Sequence, residues 1–425
     1  VWADDITYRA AKANNELANY YRLSPNITAN TADFDTTWSL FFAVINHSNT
    51  LINKTVLPEN ADQAKKFEEV LGEAYFLRGL SYFYLVRMYG DVPLILAETD
   101  ASTYMPRTAV AEIYDQAIIP SLKKAVEILP AKSRSGFSST PSKWAAEACL
   151  ADAYMTMAGW PLKRGQEYYS LAAAAAKDII DNSGLYLTEE YAELWKEANK
   201  AQPNEVMFAI HHNAKMKTAS NYGKSYYPSD FAPNAGWSDY YANESFFLNY
   251  PDDARKEWNY MTEWETKNGH VTYKESADKL PAISKYYDYD NGAPGKSAQA
   301  NGITCIYRYA DVLLMYAEAS TRATNSVNAQ ALDAIQKVQK RAGYAQDQLT
   351  TTTDPTAFTT AVFNERGWEF FAEMKRWFEL VRLEKVKEVR AEEWDASTFN
   401  TNHHYYFPVP YQQVDLAGWT NNAGY

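Results

Sequence analysis

Apolar residues recur at spacings of three and four almost without a break from residue 4 to about residue 199, and recognisable stops separate the runs. A chain patterned in this way buries its apolar stripes by packing helix against helix. Asp4 is placed to cap a first helix through Leu23, which Ser24, Pro25 and Asn26 end. The spacing predicts further helices from about Thr36 to Thr55, from Ala61 to Tyr89, from a Thr108 cap to Leu129, from Thr140 with Pro141 in the first turn, and over residues 165–181. Gly90 and Asp91 stop the helix that ends at Tyr89, and Val92, Pro93 and Leu94 lead away as an extended segment.

Neighbouring runs read as antiparallel pairs, and a small residue stands three positions before a tyrosine at Ser81 and Tyr84 and again at Ala151 and Tyr154. The arrangement resembles degenerate tetratricopeptide repeats, although no constant period of about 34 residues survives. A helical solenoid of this kind commonly binds partners. At Gln202 and Pro203 the pattern changes, and Glu205 to His212 alternates as a short strand would. From Tyr222 to Tyr289 there follow 11 Tyr, 3 Trp and 3 Phe, interrupted by Gly, Pro, Asn and Ser. Rings on irregular backbone are less easily explained by core packing than rings on a helix stripe. The bland alternative is a small core belonging to this stretch itself. Helical patterning resumes near Ile306, runs from Val327 to Arg341, and runs again from Pro355 to about Glu393. The division predicted is a mostly α scaffold over 1–199 and 303–393, a loop-rich ligand-binding insertion over 200–302, and a C-terminal loop segment over 394–425.

Against 41 Lys+Arg stand 53 Asp+Glu, a net charge of −12 that repels a phosphate backbone, and no local basic patch offsets it, so no nucleic-acid partner is expected. Cys149 and Cys305 sit in apolar helical patterns and read as buried thiols. No run of 18 apolar residues exists to span a bilayer as a helix. Val1 reads as the middle of a helix-entry segment, so an N-terminal trim is expected. None of the common nucleophile, zinc or phosphate-loop motifs occurs. The adjacent pairs His211/His212 and His403/His404 would point to opposite faces of an extended chain and do not suit one metal. Residues 288–299 only glance at a calcium loop, with Gln299 where Glu belongs, and read as a plain turn. Neither a metal nor a cofactor is expected. Glu365, Glu369 and Glu373 are spaced to share one helix face, near Arg366, Arg376 and Arg382 and among several aromatic residues. Ions in such surroundings need partners, so a bracing network that includes Glu369 and Arg376 is preferred to a pair of glycosidase acids.

Six segments, met in order along the whole chain, carry a resemblance. Glu73 to Leu94 reads EAYFLRGLSYFYLVRMYGDVPL, and Pro106-Arg107-Thr108 follows. Arg308 to Ala319 reads RYADVLLMYAEA, and Glu365 to Arg382 reads ERGWEFFAEMKRWFELVR. Phe407 to Pro410 and the terminal NAGY of Asn422 to Tyr425 close the set. Together they resemble the SusD/RagB family of Bacteroidetes outer-membrane lipoproteins. Two features depart from it: Lys375 stands where a small residue or histidine is common, and the lipid-bearing N-terminal cysteine is not present.

The resemblance implies four tetratricopeptide-like helix pairs and a non-enzymatic, outward-facing nutrient-binding protein of the cell outer membrane. Such a protein is lipid-anchored in its precursor and acts as the lid of a SusC-like TonB-dependent transporter. The implied cargo is an oligosaccharide, with a peptide, as in the RagB branch, as the alternative. An all-helical glycoside hydrolase and a scaffold that binds only a protein partner are the readings from other classes. The resemblance also places ligand between the loop after the first helix and the insertion, where no residue can be carried over by motif. Side-chain chemistry selects Asn30 and Asp33 for paired hydroxyls, Phe34 as a stacking face, and Tyr226, Trp237, Tyr286 and Tyr287 as exposed rings in turn-rich stretches. Trp38 lies on a helix stripe and is left to the core.

Overall fold

The computed structural model describes residues 3–9, 27–98, 104–201, 204–232, 234–288, 299–389 and 405–425. Helix α1 (Ala32–Lys54) packs against α2 (Ala61–Tyr89). The Asn60 side chain caps α2 by accepting from the Gln63 N–H, and Gly90 ends it at φ 72°. Strands β2 (Val92–Pro93) and β3 (Arg107–Thr108) pair antiparallel and lead into α3 (Val110–Ile113). Here Asp91, not Thr108, serves the helix start, its carboxylate accepting from the Val110 N–H at 2.9 Å while Thr108 stays in the strand. One π turn, Tyr114–Ile118, joins α3 to α4 (Ile119–Ile128). The cap of α5 (Lys143–Ala158) is Ser142, which displaces Pro141 to a position before the helix. α6 (Gln166–Asn182) follows.

Beyond α6 the chain enters short elements: β4 (Val206–His211), α7 (Tyr222–Tyr226), β5 (Tyr240–Ala242), α8 (Glu244–Leu248), α9 (Ala254–Asn259), and β6 to β9 between Tyr260 and Ile283. β1 (Ile6–Tyr8) pairs antiparallel with β5. This overturns the helix expected from Asp4 for those residues, whose period-2 pairing is supplied by a segment more than 200 residues away; residues 10–26 of that expectation lie outside the described residues. Likewise Ile306 is not helical, because β10 (Ile303–Arg308) pairs antiparallel with β4. A short run rich in apolar residues fits helix or strand equally until a partner strand is present.

The scaffold resumes with α10 (Tyr309–Thr324), α11 (Ala329–Ala342) and α12 (Pro355–Glu369). Each long helix touches the next in the order α1, α2, α4, α5, α6, α10, α11, α12, so the insertion departs and returns between two neighbours, α6 and α10. Cys149 is buried on α5, and Cys305 is buried on a strand rather than a helix. A second core fills the insertion with rings such as Tyr227, Tyr250, Tyr260 and Trp264. It also takes in Tyr191 and Trp195, which the division predicted from sequence assigns to the helical scaffold but which stand at a short 3-10 turn beyond the end of α6.

The helix expected from Pro355 to Glu393 stops at Glu369 and restarts as α13 (Arg376–Arg382) and α14 (Val386–Val389), with Ala372 at φ 59° and Met374 at φ 61° between. Side chains from elsewhere satisfy the freed carbonyls: Arg308 donates to Glu369 O at 2.8 Å, Lys285 to Phe371 O at 2.8 Å, and Tyr286 to Ala372 O at 2.9 Å. Residues 390–404, with His403 and His404, lie outside the described residues. The closing segment also contains a helix, α15 (Tyr411–Ala417).

The acidic cluster is a buried brace, but with other partners than its sequence neighbours. Arg255 of the insertion donates to Glu365 at 2.6 Å and Glu369 at 2.9 Å. Arg308 and Arg341 both reach Glu205 and Glu369, and Lys285 reaches Glu373 at 2.7 Å. Burial alone would raise the Glu369 carboxyl, yet Arg341, Arg308 and Arg255 together hold it well below the ordinary range. Glu369 and Arg376 do not pair: Arg376 holds Asp4, while Arg366 holds Glu379 and Arg382 holds Glu318.

Candidate ligand-binding site

Between the first helix pair and the insertion lies a cavity of about 1070 Å³. Phe34, Thr37, Phe41 and Val44 of α1 and Leu77, Leu80, Tyr84 and Met88 of α2 form one wall. Phe208 and Ile210 of β4, Cys305 of β10, and Tyr222, Tyr226 and Tyr240 form the other. Met374, Lys375 and the first turn of α13, Arg376 to Phe378, complete the lining. In the short helix α7, Tyr222 and Tyr226 are four residues apart and therefore stand on one face, their rings 5.8 Å apart and 11° from parallel. Across the cavity Phe41 stacks on Tyr84 at 5.5 Å, and Phe378 meets Tyr84 edge-on at 6.0 Å. Met374, placed by its left-handed backbone, accepts from the Tyr222 hydroxyl at 3.1 Å.

Charge at the site is sparse and largely paired. Burial pushes the Asp5 carboxyl up, the Asp4 charge adds to this, and the Ala372 N–H opposes it. Burial, with a smaller push from the Asp33 carboxylate of the facing wall, raises the Tyr240 hydroxyl to about 12. His212 is pushed down by burial, and its ring nitrogens meet Thr304 Oγ1 at 2.7 Å and Thr218 O at 3.0 Å. His211 instead meets Ser138 Oγ at 2.8 Å.

Of the seven residues selected from sequence, Asp33, Phe34 and Tyr226 line the cavity. Phe34 is buried, its ring 4.9 Å from that of Phe407. Asn30 is exposed in the turn before α1, its N–H toward Thr28 Oγ1 at 3.4 Å, and does not reach the lining. Tyr286 is not exposed: it lies behind Tyr222 at 4.8 Å, tied to Ala372. Tyr287 is half-buried, edge-on to Tyr227 at 5.1 Å, within the insertion's own core. Trp237 is 50% exposed outside the cavity, with the Lys224 ammonium 5.2 Å above its ring. Turn-rich sequence therefore marked exposure correctly for Trp237 and wrongly for Tyr226 and Tyr286, because the irregular backbone wraps a core of its own. Tyr222, Tyr240, Phe41 and Tyr84 line the cavity without having been selected. The four-residue spacing of Tyr222 and Tyr226 was the signal available in the sequence; Tyr84 looked like ordinary helix packing.

The model of the SusD family matches residues 204–425 of this chain of 425, just over half of it. The chain belongs to the SusD family. A second family model, described as starch-binding and associating with the outer membrane, matches residues 3–155. SusD-like protein P2 of Formosa agariphila is 28% identical over 91% of this chain and 80% of its own length. A SusD superfamily protein from Parabacteroides distasonis shares the fold with a TM-score of 0.83 at 25% identity, over 100% of this chain and 92% of that one. A laminarin-binding SusD-like protein shares it with a TM-score of 0.78 at 21% identity, again over 100% and 92%. SusD-like proteins form a carbohydrate-binding family, and these likenesses extend from the helical scaffold through the insertion.

Proposed function

We propose that this chain captures an oligosaccharide at the outer face of the outer membrane and delivers it, chemically unchanged, to a SusC-like TonB-dependent transporter. A lipid anchor on the precursor holds it there. The observation that carries the reading is the ring-lined cavity between the first helix pair and the insertion, in a family described as starch-binding. Stacked tyrosine faces suit the C–H faces of a pyranose, and Asp33 supplies carboxylate oxygens for hydroxyls at the rim. The acids best placed for catalysis by sequence, Glu365, Glu369 and Glu373, are buried in ion pairs, which supports binding without hydrolysis.

A glycan array on the purified chain, followed by titration of the retained glycan, tests the proposal. Tyr222→Ala and Tyr240→Ala should each weaken binding by about 1–2 kcal/mol while the chain stays folded at the temperature of the titration. Co-purification with a TonB-dependent transporter is expected from native membranes. Release of reducing ends that survives purification would overturn the reading, and a blank array with retention of peptides from a protein digest would move the assignment to a peptide cargo.

A further inference from the structure

The cavity is poorly furnished for a sugar that enters it completely. At about 1070 Å³ it lies at the upper end of small-molecule sites, which run to about 1,000 Å³. A buried pyranose needs a partner for each hydroxyl, since an unpaired polar group loses its water without compensation. Much of the charged and polar lining is already engaged within the protein. Thr37 donates to Asp33 O at 2.7 Å, His212 is held at both nitrogens, and Ser220 accepts from the Tyr222 N–H at 3.1 Å. Glu373 serves Lys285 and Arg308, Lys375 serves Asp311, and Arg376 serves Asp4. Apart from a few hydroxyls, those of Ser81, Ser225, Tyr84, Tyr226 and Tyr240, what the walls offer between these groups is hydrocarbon and sulfur, from residues such as Leu77, Leu80, Phe208, Cys305 and Met88. The exposed apolar residues Ile210 and Met374, 52% and 51% accessible, also line it and extend the apolar surface outward.

We propose that the glycan taken by this site carries an apolar substituent, an acyl chain or an aromatic group, which enters the cavity between α2 and β4 while the sugar stays at the rim near Asp33 and Tyr240. The inference rests on the glycan reading above and names the ligand class of the same site. Transfer of the substituent from water to such walls is favourable in proportion to the apolar area covered, independently of which sugar bears it.

The test uses the whole chain with N-phenyl-1-naphthylamine as a fluorescent probe, displaced by octyl, naphthyl or methyl β-glucoside. One saturable probe site is expected, cleared by octyl or naphthyl glucoside at least about tenfold better than by the methyl glucoside, as the extra buried carbons require. The octyl and naphthyl arms separate an acyl from an aromatic substituent. Val44→Trp should crowd one part of the cavity, and Ile210→Asp should place a charge in its exposed wall; both should weaken probe binding at an unchanged melting temperature. A flat probe titration, or binding untouched by both substitutions, overturns this inference alone. So does an unsubstituted array glycan that gains nothing from an added octyl group. Displacement by apolar peptides but by none of the glucosides would overturn the glycan as carrier. A blank glycan array, by contrast, overturns the proposed function.

Discussion

Glu369 shows how one side chain can hold the fold together without touching ligand. Three guanidinium groups, on Arg255, Arg308 and Arg341, converge on a fully buried carboxylate from the insertion, from β10 and from α11. Removing that carboxylate leaves their charges uncompensated in a medium of low dielectric, so Glu369→Ala should cost about 3–5 kcal/mol of stability. Calorimetry on parent and variant measures this; an unchanged melting temperature together with lost glycan binding would show that Glu369 is a ligand contact instead. Glu318 governs acid stability in the same way. Burial alone would raise its carboxyl, but the bidentate Arg382 pair at 2.8 Å and the nearby Arg322 bring it down to about 2 from 4.5. A carboxylate depressed by folding contributes fully above its unfolded value and loses that contribution as pH falls toward its folded one. The melting-temperature gap between the parent and Glu318→Gln should therefore be constant above pH 4.5 and shrink between pH 4.5 and pH 2. A gap that does not change over this window would refute the linkage.

At the scale of elements, local chemistry and distant partners divide the work. Four scaffold helices capped by side chains, at Asn60, Ser142, Asn328 and Asp354, start within a residue or two of where their patterns begin, since a cap is decided by the few residues beside it. The break after Glu369 had no such mark. It exists because Arg308, Lys285 and Tyr286, distant in sequence, supply donors to carbonyls that a continuing helix would otherwise serve. Close approach of elements is equally remote in origin. A Cβ on Gly159 at the end of α5 would come within 2.4 Å of the Arg382 carbonyl oxygen at the end of α13, which already accepts from the Trp160 N–H at 3.0 Å. Gly159→Ala should therefore destabilise by about 1–3 kcal/mol through forced separation of these two helix ends. Chemical denaturation measures the loss, and a neutral substitution would mean that α13 moves freely relative to α5.

For the whole molecule, the brace decides whether scaffold and insertion behave as one body. Arg255 stands on α9 of the insertion and its partners Glu365 and Glu369 on α12 of the scaffold, all with fully buried side chains. β4 and β10, which bracket most of the insertion, pair with each other. Such coupling favours a single cooperative transition, because neither part can unfold without stranding buried charge in the other. Calorimetry should show one endotherm for the parent, and Arg255→Ala should lower it and separate an earlier transition for the insertion. Two resolved endotherms in the parent would show instead that the two parts are thermally independent.

Sequence alone determined the mostly helical scaffold, the presence of a loop-rich stretch within it and the family, because three-and-four periodicity, caps and turn residues act between neighbours a few positions apart. It also marked the acidic cluster as a brace, since ions among aromatic rings must be paired wherever the partners come from. Only the tertiary structure decided which partners those are, that Ile6 to Tyr8 and Ile303 to Arg308 are strands, and which rings of the insertion face a cavity. Tyr226 and Tyr287 stand in similar turn-rich sequence, yet Tyr226 lines the cavity and Tyr287 packs edge-on to Tyr227 in the insertion's own core. The difference arises from long-range pairing and burial, quantities that belong to the assembled chain and to no window of its residues.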